Sequence, residues 1–135
     1  MGSLLGLLTS KLEGLGLRFW AFGQLWWVDR HLHAWAVQAL QDPLPSQYPE
    51  LTPQQWRAIQ RRVRVLYLVA PFHPVRPQCL HRSLVLYRWL VTQGVAARLE
   101  VGWGQQIGHA WVSYGSWILN DQSDVRETTP PLRAV

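Results

Sequence analysis

The chain has 135 residues, of which 48% are hydrophobic and 16% charged, and its formal net charge is +5. A chain of this length can bury roughly two-thirds of its unfolded surface, so the composition excludes a disordered chain and favours one domain over residues 1–135. The lone Cys79 excludes an intramolecular disulfide framework and a zinc site built on several thiolates, and it favours a reducing compartment.

The N-terminal region has few features of a membrane-targeting segment. No positive stretch precedes its first leucines, and the most apolar run, residues 19–28, is shorter than the roughly 20 residues that a spanning helix needs. We therefore predict no transmembrane segment. A weaker alternative is that a Trp-rich face touches a membrane surface or a partner protein.

Residues 1–70 are predicted to form a mostly helical platform. Apolar residues recur close to helical spacing through residues 1–41. Three prolines within residues 42–50 predict a loop, because proline cannot sit in a helix interior. Thr52 followed by Pro53 is typical of a helix start.

The helix that begins at Pro53 carries an arginine cluster beside its apolar stripe. The simplest interpretation of this cluster is a solvated face, and the alternative is a docking surface for an acidic peptide or protein. A nucleic-acid surface is a third option, but no nucleic-acid motif accompanies the charge, so we expect no nucleic-acid partner. The cluster consists of Arg57, Arg61, Arg62 and Arg64.

Cys79 falls in the first turn of a predicted helix that begins after Pro77 and ends at Gly94. The first-turn N–H groups have no partner inside the helix, and the helix end carries partial positive charge, so both favour thiolate over thiol. The N–H groups of Cys79 and Leu80 can also hold a developing oxyanion. Taken alone, this cysteine is more simply explained as a small buried residue.

His109 and Asp121 are predicted to face each other across a hairpin. A three-residue loop over 114–116 places them directly opposite, with Cβ atoms about 4.5–5.5 Å apart, and a slip of one residue would move Asp121 to the other face. A carboxylate beside a histidine fixes its tautomer, and a thiol within reach completes a nucleophile–base–orienter set with Cys79. The predicted strands cover residues 95–101, 109–113 and 117–121.

These residues resemble the transglutaminase-like leader peptidases of lasso-peptide biosynthesis, in the stand-alone form whose leader-recognition module is a separate polypeptide. The resemblance covers about residues 71–121, and its specificity comes from the order of the motifs. It implies an α+β fold in which residues 71–135 form a papain/transglutaminase-like core. In that core a helix carrying the cysteine packs on an antiparallel sheet, preceded by N-terminal helices. The motifs are CLHRSLVLYRWLVTQGVAARLEVGW, GHAWV and ILND.

The resemblance also implies roles for the three residues. Cys79 would be the nucleophile of a cysteine peptidase, His109 its general base and acid, and Asp121 the orienting carboxylate, with no metal and no cofactor. Such proteins cut the leader from a ribosomally made precursor peptide in the cytoplasm. They work with a leader-recognition-element protein and a cyclase that closes the macrolactam ring.

Two other classes of function stay open at this point. One is acyl transfer rather than hydrolysis, and the other is a non-catalytic peptide-binding or assembly module. Two neighbours of Cys79 have interpretations of their own. Gln78 could add an oxyanion contact or simply pack at the helix start, and Arg82 is expected to form a structural ion pair, for instance with Glu100 or Asp124.

Overall fold

In the computed structural model, the backbone is described for residues 2–104 and 107–121. These residues form helices followed by an antiparallel sheet of strand order β1-β2-β3. The helices are α1 (Gly2–Arg30), α2 (Leu32–Gln41), α3 (Pro53–Val69), a 3₁₀ turn (Ala70–Phe72) and α4 (Cys79–Thr92), and the strands are β1 (Arg98–Gly104), β2 (Ile107–Tyr114) and β3 (Trp117–Ile118). Because α4 packs against β2 and the other helices precede it, the predicted α+β class is confirmed.

The helix boundaries follow local signals in the sequence. The Thr52 hydroxyl accepts the N–H of Gln55 at 3.1 Å, and the Gln55 side-chain oxygen accepts the N–H of Thr52 at 2.8 Å, so a capping box starts α3 as predicted. Gly94, with φ +73°, follows the end of α4 in the left-handed region. The N-terminal helical stretch is interrupted at His31, which separates α1 from α2.

The centre of the core lies between α1, α4 and the sheet. Residues from each of these elements are fully or almost fully buried, and α4 contributes the largest share of them. None of the helices in the described part of the chain combines the length and apolarity needed to cross a bilayer. The innermost side chains include Ala21, Leu25, Val28, Leu84, Leu86, Leu90 and Val112.

One member of the arginine cluster differs from the other three. The Arg62 guanidinium lies between two indole rings, 4.2 Å from the centroid of Trp20 and 4.7 Å from that of Trp89. Burial, and then the neighbouring Arg61, lowers the pKa of Arg62. The other three arginines are exposed, which both the solvated-face and the docking-surface interpretations expect. Arg62 joins α1, α3 and α4 by cation–π stacking.

The strands depart from the predicted bounds. β1 begins at Arg98, after the predicted start at residue 95, and it continues to Gly104, past the predicted end at residue 101. β2 begins at Ile107, before the predicted start at His109. Gly102 and His109 are partners in the β1–β2 register. Backbone pairing therefore continues past residue 101, where the pattern of apolar side chains had suggested that the strand ends.

The predicted register of the second hairpin is wrong by one residue. Tyr114 pairs with Trp117, and the loop between them has two residues, with Gly115 at φ +59° in the first central position, as a type II′ turn requires. Tyr114 stays in the strand because its buried ring packs edge-on against Tyr48 at 5.1 Å and its hydroxyl donates to the Pro49 carbonyl.

Candidate active site

Cys79 is the first residue of α4 and is half-buried. Gln78 precedes it in an extended conformation, and the Gln78 carbonyl accepts the N–H of Arg82 at 3.2 Å, which closes the first helical turn. The N–H groups of Cys79 and Leu80 therefore lie at the open, partially positive end of the helix, as predicted.

Two histidines hold the approach to Cys79 against α1. His73, almost fully buried, accepts the N–H of Val75 through Nδ1 at 3.2 Å, so its Nε2 donates to the Phe22 carbonyl at 2.9 Å. His81 accepts the N–H of Gln78 through Nδ1 at 3.1 Å and lies 2.9 Å from Asp29 through Nε2. The segment that precedes the thiol is thus fixed at both ends.

His109 lies on β2, and its Nε2 is hydrogen-bonded to the Asp121 carboxylate. The carboxylate can only accept, so Nε2 carries the hydrogen and Nδ1 of the neutral ring holds the lone pair. The ring is also 5.9 Å from that of Trp111, which is fully buried and anchored by its indole N–H to Glu100 at 2.9 Å. The predicted contact between His109 and Asp121 is therefore present in the structure.

The route by which Asp121 reaches His109 was not predicted. In the observed register, an uninterrupted ladder would set Asp121 opposite Ala110, on the other face of the sheet from His109. The backbone ladder ends instead with the Leu119 N–H, which donates to the Val112 carbonyl at 2.9 Å, and a bend follows. The bend returns the Asp121 carboxylate to His109.

The helix that carries Cys79 meets β2 beside His109. Ser83, one turn after Cys79 on α4, donates its hydroxyl hydrogen to the Ala110 carbonyl at 3.1 Å. Within the described residues no hydrogen bond joins the Cys79 thiol to His109. Catalytic hydrogen bonds are often long in the free enzyme and tighten only when substrate binds, so the arrangement is consistent with a pair completed by substrate.

Other sequence predictions near the site have mixed outcomes. The Arg82 guanidinium lies 4.4 Å from the Tyr67 ring centroid, and the ion pairs formed between described residues do not include one between Arg82 and Glu100. Asp124, the other expected partner, lies outside the described residues. Sequence reasoning missed the roles of Ser83, Asn120 and the His81–Asp29 pair, because the partners of each are distant in the chain.

The described residues contain no group of three side chains that could hold a metal ion. His31 is one of two closely spaced histidines. Its Nδ1 lies 3.0 Å from the Trp27 carbonyl oxygen, and its ring stacks on that of Trp35 with centroids 4.4 Å apart.

Two cavities of about 430 and 710 Å³ lie away from the site. The first is lined in part by Trp35 and Arg88, and the second by Trp56 and Trp117.

A thiol on the first turn of a helix, beside a strand that carries a His–Asp pair, is an arrangement that suits thiol-dependent hydrolases and acyltransferases. The family profile of the transglutaminase-like superfamily matches residues 25–133, and the chain therefore belongs to this superfamily. No curated protein and no solved structure matched the chain. The superfamily generally comprises enzymes of the cysteine-protease type, so membership indicates protease- or acyltransferase-type activity.

Proposed function

We propose that this protein is a cysteine peptidase that removes the leader peptide from a ribosomally synthesised lasso-peptide precursor. The observation that carries the proposal is the hydrogen bond between His109 Nε2 and Asp121, because it leaves Nδ1 as the basic atom of the ring. The motif resemblance over residues 71–121 supplies the substrate class, and superfamily membership supports the chemistry.

The first half of the reaction makes a thioester. His109 Nδ1 takes the proton of the Cys79 thiol, and the thiolate attacks the carbonyl carbon at the end of the leader. The N–H groups of Cys79 and Leu80 stabilise the resulting oxyanion. When the C–N bond breaks, His109 returns the proton to the departing amine, which is the N-terminus of the core peptide.

The second half releases the leader. His109 removes a proton from water, the hydroxide attacks the thioester carbonyl, and the C–S bond breaks to return the Cys79 thiolate and the imidazolium. Asp121 remains ionised throughout and stabilises the imidazolium through Nε2. The cycle needs no metal or cofactor because the thiol, the imidazole and water supply all the transferred atoms and protons.

The proposal includes partners and a compartment. A separate recognition-element protein would hold the leader, and a cyclase would close the macrolactam ring on the freed amine. The exposed arginines of α3 could contact an acidic part of either protein. We place the reaction in the cytoplasm, where a lone thiol stays reduced.

The test is to incubate the full chain with a candidate precursor and its recognition partner and to follow the products by mass spectrometry. We expect a new core peptide and a leader ending in a free carboxylate. Cys79→Ala should abolish both products and His109→Ala should lower kcat by about 10²–10⁴-fold. Full cleavage by Cys79→Ala would exclude nucleophilic catalysis by this residue.

Acyl transfer is the second candidate, and it is favoured by membership of the transglutaminase-like superfamily. Addition of methylamine to the same reaction separates the two. A hydrolase gives mainly the leader acid, whereas an acyltransferase gives mainly the leader methylamide, with the mass difference between them visible in one spectrum. An intact precursor in both reactions would favour a non-catalytic binding role.

A further inference from the structure

The bend that delivers Asp121 to His109 is built around the side chain of Asn120. This side chain is nine-tenths buried. Among the described residues, its hydrogen bonds go to Val112 and Ser83 and to none of the candidate triad residues. Its Oδ1 accepts the Val112 N–H at 2.8 Å. In a regular antiparallel pair that N–H would go to the Leu119 carbonyl, so an amide oxygen replaces a backbone oxygen at the last rung of the ladder.

The other end of the Asn120 amide is bound to the helix of the thiol. Its Nδ2 donates to Ser83 Oγ at 3.0 Å, while the only hydrogen of that hydroxyl goes to the Ala110 carbonyl at 3.1 Å. Because the Val112 N–H can only donate and the hydroxyl hydrogen of Ser83 is already used, the orientation of the Asn120 amide is fixed by its partners.

A third element holds the backbone at the bend. The Tyr67 hydroxyl of α3 donates to the Asn120 carbonyl at 3.1 Å, and the Arg82 guanidinium of α4 covers the Tyr67 ring. Asn120 is thus held by α3, α4 and β2 at once. Since Asp121 is the next residue, the direction of its carboxylate depends on these bonds.

The same bonds set the distance between the other two residues of the candidate triad. Ser83 lies one turn after Cys79, and its acceptor Ala110 directly follows His109. We propose that Ser83 and Asn120 are positioning residues, which together aim Asp121 at His109 and hold the helix of Cys79 against the strand of His109. The expected effect of these residues on the rate of leader cleavage rests on the proposed function. Their expected effect on the contact between His109 and Asp121 rests on the geometry alone.

The structural consequence is tested by proton NMR of the full chain without substrate. We expect a low-field resonance from the His109 Nε2 proton, assigned by its loss in Asp121→Asn. Asn120→Ala and Ser83→Ala should shift or broaden this resonance. Thr92→Ala is the matched control, because it removes a hydroxyl from the exposed end of the same helix, where that hydroxyl contacts Trp89.

The kinetic consequence is tested by leader cleavage. Misplacement of a catalytic group by about 1 Å can cost about 100-fold in rate, so we expect Asn120→Ala to lower kcat by about 10- to 100-fold with little change in KM. Asn120→Asp, which keeps an acceptor for Val112 but cannot donate to Ser83, should be intermediate. A merely destabilised enzyme would instead regain its full kcat at a lower temperature, where it is folded.

The outcomes separate the two proposals. A folded Asn120→Ala with an unchanged His109 resonance and wild-type kcat would overturn the positioning role, and if that variant does not fold, the same two readouts on Ser83→Ala decide. If the wild-type chain cleaves no precursor while the resonance responds as expected, the positioning role stands and the proposed function fails.

Discussion

His81 Nε2 lies 2.9 Å from Asp29 Oδ1, a contact that joins the first turn of α4 to α1 across 52 positions of the chain. The imidazole is 8% exposed and the carboxylate 37%, so the bond is partly protected from water. Because His81 also accepts the Gln78 N–H, its two ring nitrogens are both used. This histidine therefore ties the start of the cysteine-bearing helix to the helical layer beneath it.

We expect Asp29→Ala to lower the free energy of unfolding by about 1–3 kcal/mol, because it leaves the buried Nε2 of His81 unsatisfied, and His81→Ala to lower it by a similar amount, because it removes both hydrogen bonds of the ring. Urea denaturation measures the change. In the double variant the two losses should be less than additive. His33→Ala, on the exposed side of α2, should change the stability by less than about 0.5 kcal/mol, and an equal loss there would argue against the pair.

Glycine substitutions in the tight turn between β2 and β3 and in the helix α1 should have opposite effects on stability. Gly115 has φ +59°, a conformation that costs other residues about 1–2 kcal/mol, so Gly115→Ala should destabilise the protein by about that amount. Gly23 lies on α1 with open space around it, and Gly23→Ala should stabilise the protein by about 0.5–1 kcal/mol. Thermal unfolding of both variants is the measurement, and destabilisation of equal size in both would contradict the turn assignment.

Tyr87 makes the stability of the protein sensitive to alkaline pH. Burial, followed by the hydrogen bond to Asp42 and its negative charge, raises the pKa of Tyr87 above the ordinary value of 10.0. The folded state thus holds the phenolic proton more tightly than the unfolded state. This contribution to stability is complete below pH 10.0 and is lost as the pH rises further.

We therefore expect Tyr87→Phe to weaken the decline of the unfolding free energy above about pH 10. Urea denaturation of the wild-type chain and the variant at a series of pH values from about 8 to 11 provides the comparison. Tyr48→Phe removes a hydroxyl from an exposed tyrosine that is only the second cause of the raised pKa of Tyr114, so it should change the dependence less than Tyr87→Phe does. Identical pH profiles for Tyr87→Phe and wild type would show that the buried hydroxyl does not contribute.

Asp121 is expected to orient His109 rather than to transfer protons. In Asp121→Asn the side-chain NH₂ can donate to Nε2 and so favours the tautomer in which Nδ1 carries the hydrogen and cannot act as the base, and the charge that stabilises the imidazolium is lost. We expect leader cleavage to retain its KM and to lose up to about 10⁴-fold in kcat in Asp121→Asn, with a loss of similar size in Asp121→Ala. Equal activity of Asp121→Asn, Asp121→Ala and wild type would remove Asp121 from the mechanism.

Much of the helical layer was predictable because its signals are local. Thr52 and Gln55 are three residues apart, and each supplies a bond that the other needs at the start of α3. Pro77 and Gly94 bracket α4 in the same way, and they place Cys79 at its first turn. In such cases the neighbours in the chain are also the neighbours in space.

The hairpin shows where this reasoning stopped. The prediction that His109 faces Asp121 depended on a three-residue loop. In the structure, the packing of Tyr114 against Tyr48 shortens the loop to two residues and shifts the register by one. The contact survives because Asn120 leaves the ladder and is held by Ser83, 37 residues away, and by Tyr67, 53 residues away.

The amino-acid sequence by itself determined the helices, the position of the thiol at a helix start and the residue types of the candidate triad. Only the tertiary structure decided the strand register, the ring nitrogen that meets Asp121 and the bend that makes this meeting possible. The physical reason is that capping bonds are formed within one turn of chain. A buried amide such as Asn120, by contrast, can satisfy its hydrogen bonds only after distant elements have packed around it.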